Sequence, residues 1–363
     1  MFHKALWMRQ WKQGKYAVLL FWLTSLYILP YKYYLDAASQ FQQSIQTYDD
    51  YDYVYYYAYY FNASDPVFIQ SFLVVLMACL FIGWERNNQS IDFLWSMPFR
   101  RKDIYVTKWL FGVINIIAVN IVCLVSMHGI KLLSFHNQYQ EDFSPFYTYF
   151  LYATIVLIAI YTLALCVGTI TGNIFSQISL SAIFLFLPQG LVLLISGFVY
   201  AHTSGDSFED SYKKERKIAS YFTHIDLYAS IDNFYIRYDY HPEVQSDDEG
   251  NIISETPQKN PMENTMIPSI WELLTPITYI IILLPVGAIL YTRSPNEQNG
   301  KLLLFPKLQK YFMFCTVLCF ALLGGRILSE SLVSYYIGFF IAGIVSYFIF
   351  TRLLKMKFSF GGK

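Results

Sequence analysis

The sequence predicts an all-α polytopic membrane protein. It should have about eight transmembrane helices, a short amphipathic helix on the cytoplasmic side and a small extracellular lid of mixed or β-hairpin character. Three observations predict this. Of 363 residues, 55% are hydrophobic and 14% charged, outside the balance of a soluble domain. The apolar residues fall in blocks of about 20, the length a helix needs to cross the hydrocarbon core. Within each block they run continuously instead of alternating every second residue, which argues against a β-barrel.

Taken in order, residues 1–15 carry Trp7, Trp11 and four cations. They read as an interfacial helix on the cytoplasmic leaflet. The first span follows at 16–34. This start also has a signal-peptide look, with Ala37-Ala38-Ser39 after the apolar run. The run continues through Tyr33-Tyr34 and no A-x-A site follows, so retention is expected. The loop around 48–60 is rich in tyrosine and carries Asp49, Asp50 and Asp52. Tyrosine settles where water meets lipid, so an outer-leaflet helix is expected. An aromatic, anionic surface that recruits a cationic or amphipathic molecule is the alternative. Spans two and three are placed at 66–84 and 109–133, with a long loop at 85–108 between them. Spans four and five, 147–171 and 174–199, are separated only by Thr171-Gly172-Asn173, a turn-rich break. Residues 200–269 form the sizeable water-soluble piece. The turn signal at 247–251 predicts a hairpin. At about 70 residues the piece is marginal as an independent fold, so a lid packed on the span ends is expected. Spans six, seven and eight fall at 270–292, 311–327 and 331–351. The chain thus divides into 1–15, 16–199, 200–269 and 270–363, with a second cytoplasmic loop at 293–310.

Charge orients the bundle. With both termini cytoplasmic, the inner side holds seventeen cations against four acids, and the outer side nine cations against twenty-two acids. The zero net charge is therefore two opposite charges on two sides of a membrane. With the long loop 200–269 set aside, the outer cations are Lys32, Lys131 and Arg326 alone, as the positive-inside rule requires.

The spans hold little chemistry. All five cysteines lie in apolar segments, so no disulfide framework is implied. No Asp, Glu, Lys, Arg or His lies near a predicted span midpoint, which argues against an ion-coupled transporter. The six histidines form no H-E-x-x-H motif, and neither G-x-S-x-G nor G-x-x-x-x-G-K-[ST] occurs. No catalytic or metal-ligating residue is assigned, and the chain lacks the loop that cradles ATP. Asn115, Asn120 and Gln189 are the polar residues assigned to a substrate path, with helix-to-helix bonding as the plainer role. Pro188, Pro276 and Pro285 are expected to interrupt their spans. Arg326 and Glu330 are spaced to pair across a helical turn.

The informative segment is therefore 85–108. Ile91, Leu94 and Trp95 stand at i, i+3 and i+4 and make one apolar face, with Gln89, Asp92 and Ser96 away from it. Pro98 disfavours helix at Met97. Arg100, Arg101 and Lys102 follow at the membrane boundary. A two-turn helix over 89–97 with an apolar face needs a groove in a partner, or else lies on anionic lipid.

This run resembles the corresponding loop of ABC transporter permeases of the ABC-2 type. Their acidic residue after span two matches Glu85. Their Gly-Thr-acidic-Leu-Leu stretch falls on Ser90, Asp92, Phe93 and Leu94, their Ser-x-Pro on Ser96-Met97-Pro98, their basic residue on Arg100, Arg101 and Lys102, and their lysine on Lys108. The family glycine is absent, with Asn88 or Gln89 near its place. A second stretch, with Arg293, Glu297 and Gly300, resembles the Arg-x-x-Glu-x-x-Gly linker of Ytr-type permeases of Gram-positive bacteria. The resemblance implies a subunit of the bacterial plasma membrane that binds no cofactor itself. Two cytosolic ATP-binding cassette subunits would carry ATP and magnesium, and a second, identical or homologous permease would complete the complex. No nucleic acid is implied. Ile91, Leu94 and Trp95 would seat in the ATPase, Glu85 and Arg86 would tie the helix to the bundle, and Arg100, Arg101 and Lys102 would meet lipid phosphate. Arg293 and Glu297 would make a second cytoplasmic contact. The activity implied is export of an unidentified substrate, with a cationic or amphipathic one favoured by the outer face. A sensory ABC-type complex, and a stand-alone channel or lipid-handling protein, are the alternatives.

Overall fold

The computed structural model describes residues 4–49, 56–88, 90–203, 208–240, 242–246, 252–257, 265–295, 300–328 and 331–356. The chain begins with α1 (Lys4–Leu26), a π-helical turn (Tyr27–Tyr31) and α2 (Lys32–Asp49), which run on without a break. The boundary expected at residue 15 is therefore helix. Leu6, Gln10 and Gly14 are already buried, so this end is packed on its own bundle. Pro30 explains the π turn: it lacks an N–H and its ring crowds the carbonyl four residues back, and an extra residue per turn relieves both.

Strand β1 (Tyr57–Asn62) leads to α3 (Ser64–Asn87), short α4 (Ser90–Ser96), long α5 (Arg101–Leu133) and one-turn α6 (His136–Tyr139). Helices α7 (Ser144–Ile170) and α8 (Ile174–His202) follow. Asn173 caps α8, accepting the Ser176 N–H at 2.8 Å, so the break expected at 171–173 is where the helix restarts. The segment beyond α8 builds α9 (Phe208–Thr223), α10 (Ala229–Asp232), β2 (Tyr235–Tyr240), β3 (Pro242–Ser246) and β4 (Ile252–Pro257). A 3₁₀ turn opens α11 (Leu274–Arg293), and α12 (Pro306–Ile327) and α13 (Leu332–Lys355) complete the chain.

Among the described residues, seven helices are long and apolar enough to cross a membrane: α3, α5, α7, α8, α11 with its 3₁₀ turn, α12 and α13. The first expected span, 16–34, is not one of them, because it is shared among α1, the π turn and α2. The expected interruptions at Pro188 and Pro285 do not occur; both lie inside continuous helices, α8 and α11. Neighbouring helices and local adjustment can satisfy the freed carbonyls.

Helix α7 is the central post, with α3, α5, α8 and α11 packed around it and α1 lying on α3 and α5. Its buried residues point in every direction, from Phe146 to Val167. Helices α12 and α13 pack chiefly on each other and meet the rest mainly through α8. Gly324 and Gly338 make that pairing close: a Cβ on Gly324 would stand 2.6 Å from the Gly338 carbonyl oxygen.

The lid differs from expectation in one respect. The predicted hairpin is present, with β3 antiparallel to β4 from Pro242 opposite Pro257 to Ser246 opposite Ile252. Of the tyrosine-rich loop, expected as a helix, the described residues are helix up to Asp49 and strand from Tyr57. That strand pairs antiparallel with β2, Tyr57 opposite Tyr240 and Asn62 opposite Tyr235. Tyr57 and Tyr59 are buried while Ala58 and Tyr60 are exposed, the period-two pattern of a strand built from aromatic β-formers. The lid is thereby fastened to the first loop. Tyr152 and Tyr238 add hydroxyl bonds to the Pro268 and Asp142 carbonyls.

Candidate coupling site at the α3–α5 junction

The end of α3 and the start of α5 are held by a buried charge network. Glu85, on the last turns of α3, takes the Lys108 ammonium from α5 and stands 3.4 Å from the Arg9 guanidinium of α1. Lys108 also donates to the Phe81 carbonyl, and its own carbonyl accepts from the Tyr161 hydroxyl of α7 at 2.7 Å. Arg86 turns the other way. Its guanidinium donates to the carbonyls of Thr171 at 2.6 Å and Thr169 at 3.3 Å. These carbonyls lie at the C-terminal end of α7, where the helix leaves acceptors unsatisfied and its dipole favours a cation. Both side chains and Lys108 are buried. A charge withdrawn from water holds only if paired and hydrogen-bonded, and here each contact crosses to a different helix. Four helix ends (α1, α3, α5 and α7) are thus fixed to one another.

Helix α4 lies under this network. Leu94 is fully buried and joins the main apolar core, with Trp95, Met97 and Phe99 packed against it. The Trp95 ring meets Tyr291 of α11 edge to face at 6.2 Å. The Arg101 guanidinium sits 3.7 Å from the centre of the Trp95 ring and donates to the Thr292 carbonyl at 3.2 Å. The apolar face expected to seat in a partner is therefore turned inward at Leu94, which joins the core, and at Trp95, which meets Tyr291 of α11. Among the described side chains of this helix Phe93 is the exposed large apolar one, 67% exposed. Gln89 lies outside the described residues, as do the side chains of Ile91 and Asp92. The break comes where Pro98 requires it: α4 ends at Ser96, and the Phe99 N–H bonds the Met97 carbonyl at 2.8 Å.

Comparison with known proteins finds similarity to one group of transporters. The model of the ABC-2 family transporter protein matches residues 53–214, which take in α3, α4, α5, α7 and α8. The chain is 24% identical over 277 residues to the probable ABC transporter permease YtrC of Bacillus subtilis (strain 168), covering 75% of this chain and 71% of that protein. It is 27% identical over 311 residues to the probable ABC transporter permease YtrD of the same organism, covering 82% of each. The chain is thus similar to permeases of the ABC-2 type over most of its length. No solved structure gives a significant match to this chain.

The remaining expected residues are dispersed. Arg100, Arg101 and Lys102 are exposed at the start of α5, with Arg101 already engaged by Trp95 and α11. Arg293 is exposed at the end of α11, and Glu297 lies outside the described residues. Gly300 has φ 86°, the left-handed region that favours glycine. Its N–H bonds the Gly172 carbonyl at 2.9 Å, and the Leu304 N–H bonds the Ile170 carbonyl at 2.9 Å. The 300–304 stretch is therefore clipped onto the same α7–α8 turn that receives Arg86. Asn115 donates to the Phe111 carbonyl of its own helix, Asn120 to Thr154 of α7, and Gln189 to Asp226 of the lid. The three amides share no site. Arg326 reaches α8 at the Leu193 carbonyl and Ser196, and Glu330 lies outside the described residues. Sequence reasoning missed Arg9 and Tyr291. Arg9 lay in a segment read as interfacial, and nothing local marks Tyr291 as the floor under Trp95.

Proposed function

We propose that this protein is a permease of the ABC-2 type, the membrane half of an ATP-driven exporter of the plasma membrane. Two cytosolic ATP-binding cassette subunits, with ATP and magnesium, would dock on the α3–α4–α5 junction, and a second permease would complete the translocation unit. The positive-inside charge pattern supports a cytoplasmic position for this junction and both termini. The observation that carries the reading is the Glu85–Lys108–Arg9 and Arg86–Thr171 network. A push on α4 is passed without slack to α1, α3, α5 and α7, so docking can favour one arrangement of the spans over another. Phe93 would be the apolar contact with the ATPase, and exposed Arg100, Lys102 and Arg293 would flank it.

The test is co-expression with a cognate ATP-binding subunit, followed by mild-detergent purification and reconstitution. The complex should be retained and should move solute at the expense of ATP. Phe93→Ala should lower both retention and coupled hydrolysis while leaving membrane insertion intact. Retention and coupling unchanged in that variant would remove Phe93 from the contact, and failure of the wild-type chain to retain any ATPase would overturn the exporter reading.

A further inference from the structure

An apolar cavity of about 360 Å³ opens between α1, α3 and α8, lined among others by Thr24, Phe72, Leu76, Ile178 and Ala182. Three aromatic residues also line it: Phe68 of α3, Phe186 of α8 and Tyr228 of the lid. Their ring centres stand 6.1–6.4 Å apart in every pairing. Two carboxylates flank Tyr228 in sequence and act on its phenol, Asp226 and Asp232. Asp226 is buried and is held by the Gln189 amide at 3.1 Å and the Tyr228 N–H at 2.9 Å. Asp232 accepts from Ser64, the first residue of α3. Among the described residues neither carboxylate has an ion-pair partner. Burial, and after it the neighbouring Asp226, raise the Asp232 carboxyl to about 6.

Ring faces carry negative potential, and a cluster of rings beside carboxylates attracts a cation that sheds its water easily. The apolar cavity takes the hydrocarbon attached to it. We propose that this cavity binds a lipophilic cation, with its charge among Phe68, Phe186 and Tyr228 under Asp226 and Asp232 and its apolar body between α3 and α8. The site deepens the exporter reading by naming a substrate class, and it rests on that reading only for the step of transport.

The probe is tritiated tetraphenylphosphonium, bound to the full-length chain in lipid nanodiscs without any ATPase. Saturable binding is expected. Asp232→Asn should weaken it several-fold and the Asp226→Asn, Asp232→Asn double variant at least tenfold. Ala182→Phe fills the cavity, leaves both carboxylates in place, and should abolish it. Tetraphenylborate, of the same shape and opposite charge, should not compete. Equal uptake by the wild type, Ala182→Phe and the double variant would show partition into lipid alone and overturn the site, as would competition by tetraphenylborate. Because binding is read without ATP, failure here leaves the exporter reading standing, and failure of ATPase coupling leaves this result standing.

Discussion

Lys108 stands in a buried position as the partner of Glu85. Removing one member of a buried, hydrogen-bonded pair leaves the other charged and unsatisfied, a loss of roughly 3–5 kcal/mol. Lys108→Met should therefore lower the thermal midpoint of the detergent-solubilised protein strongly, and adding Glu85→Gln should recover part of it; equal midpoints for the single and double variants would mean the pair is not coupled. A second residue works through neutrality. His136 is buried among Tyr33, Tyr57 and Gln140. Since the Tyr33 carbonyl only accepts, His136 Nε2 carries the proton and donates over 3.0 Å, and Nδ1 accepts the Tyr57 hydroxyl at 2.6 Å. Burial lowers its pKa from 6.5 to about 4. The unfolded imidazole binds a proton more readily than the folded one, so the contribution is fully present above about pH 6.5 and drains away as pH falls toward 4. Hydrogen exchange of β1 and β2 should accelerate over that window, and His136→Phe should flatten the dependence.

At the scale of the element, α4 shows what periodicity can and cannot decide. The i, i+3, i+4 spacing located an amphipathic helix and Pro98 located its end, both from local chemistry. The direction of the apolar face was not local, since it depends on Tyr291, almost two hundred residues away in sequence, to floor the groove. Leu94→Ala should accordingly act on stability, by about 2–5 kcal/mol as a buried leucine, whereas Phe93→Ala should act on ATPase retention with little change in melting. A melting loss in the second variant equal to that in the first would contradict the assignment of faces. The same contrast runs through the other elements. The 171–173 break was legible because Gly172 and Asn173 are turn and cap residues. The β1–β2 pairing was not, because the partner strand lies in a lid whose sequence carries no clean period. The charged residues Glu85, Arg86 and Lys108 were legible as a group by their resemblance to a family pattern, but their partners on α1 and α7 required the packing.

For the whole molecule, seven of the eight expected spans were legible, since bilayer thickness sets their length. The arrangement around α7 was not, because helix packing in lipid rests on shape more than on hydrophobicity. The bundle that results is uneven: α7 is enclosed, while α12 and α13 touch it chiefly through α8. Gly338→Leu would collide with the Gly324 carbonyl and should part these two helices. Cross-linking between cysteines introduced on them should fall, while cross-links between α3 and α7 stay unchanged; loss of both would mean that the hairpin holds the bundle together. Orientation is a separate prediction. Single cysteines placed at Lys102 and Lys310 should be shielded from impermeant thiol reagents in intact cells, and one placed at Asp239 should react.

The turn that receives both Arg86 and the 300–304 clip also sets an order of assembly. The ribosome releases Arg86 before its acceptors exist: Thr171 comes 85 residues later, and Gly300 only after α11 has been made. At roughly 5–20 residues per second, the α3 end waits several seconds for α7 and longer for the clip. Through that interval its charges are best kept in water at the membrane surface, and the buried network forms only as later helices arrive. The buried network is thus completed only after its later partners are made, and the clip joins the turn only once α11 has left the ribosome.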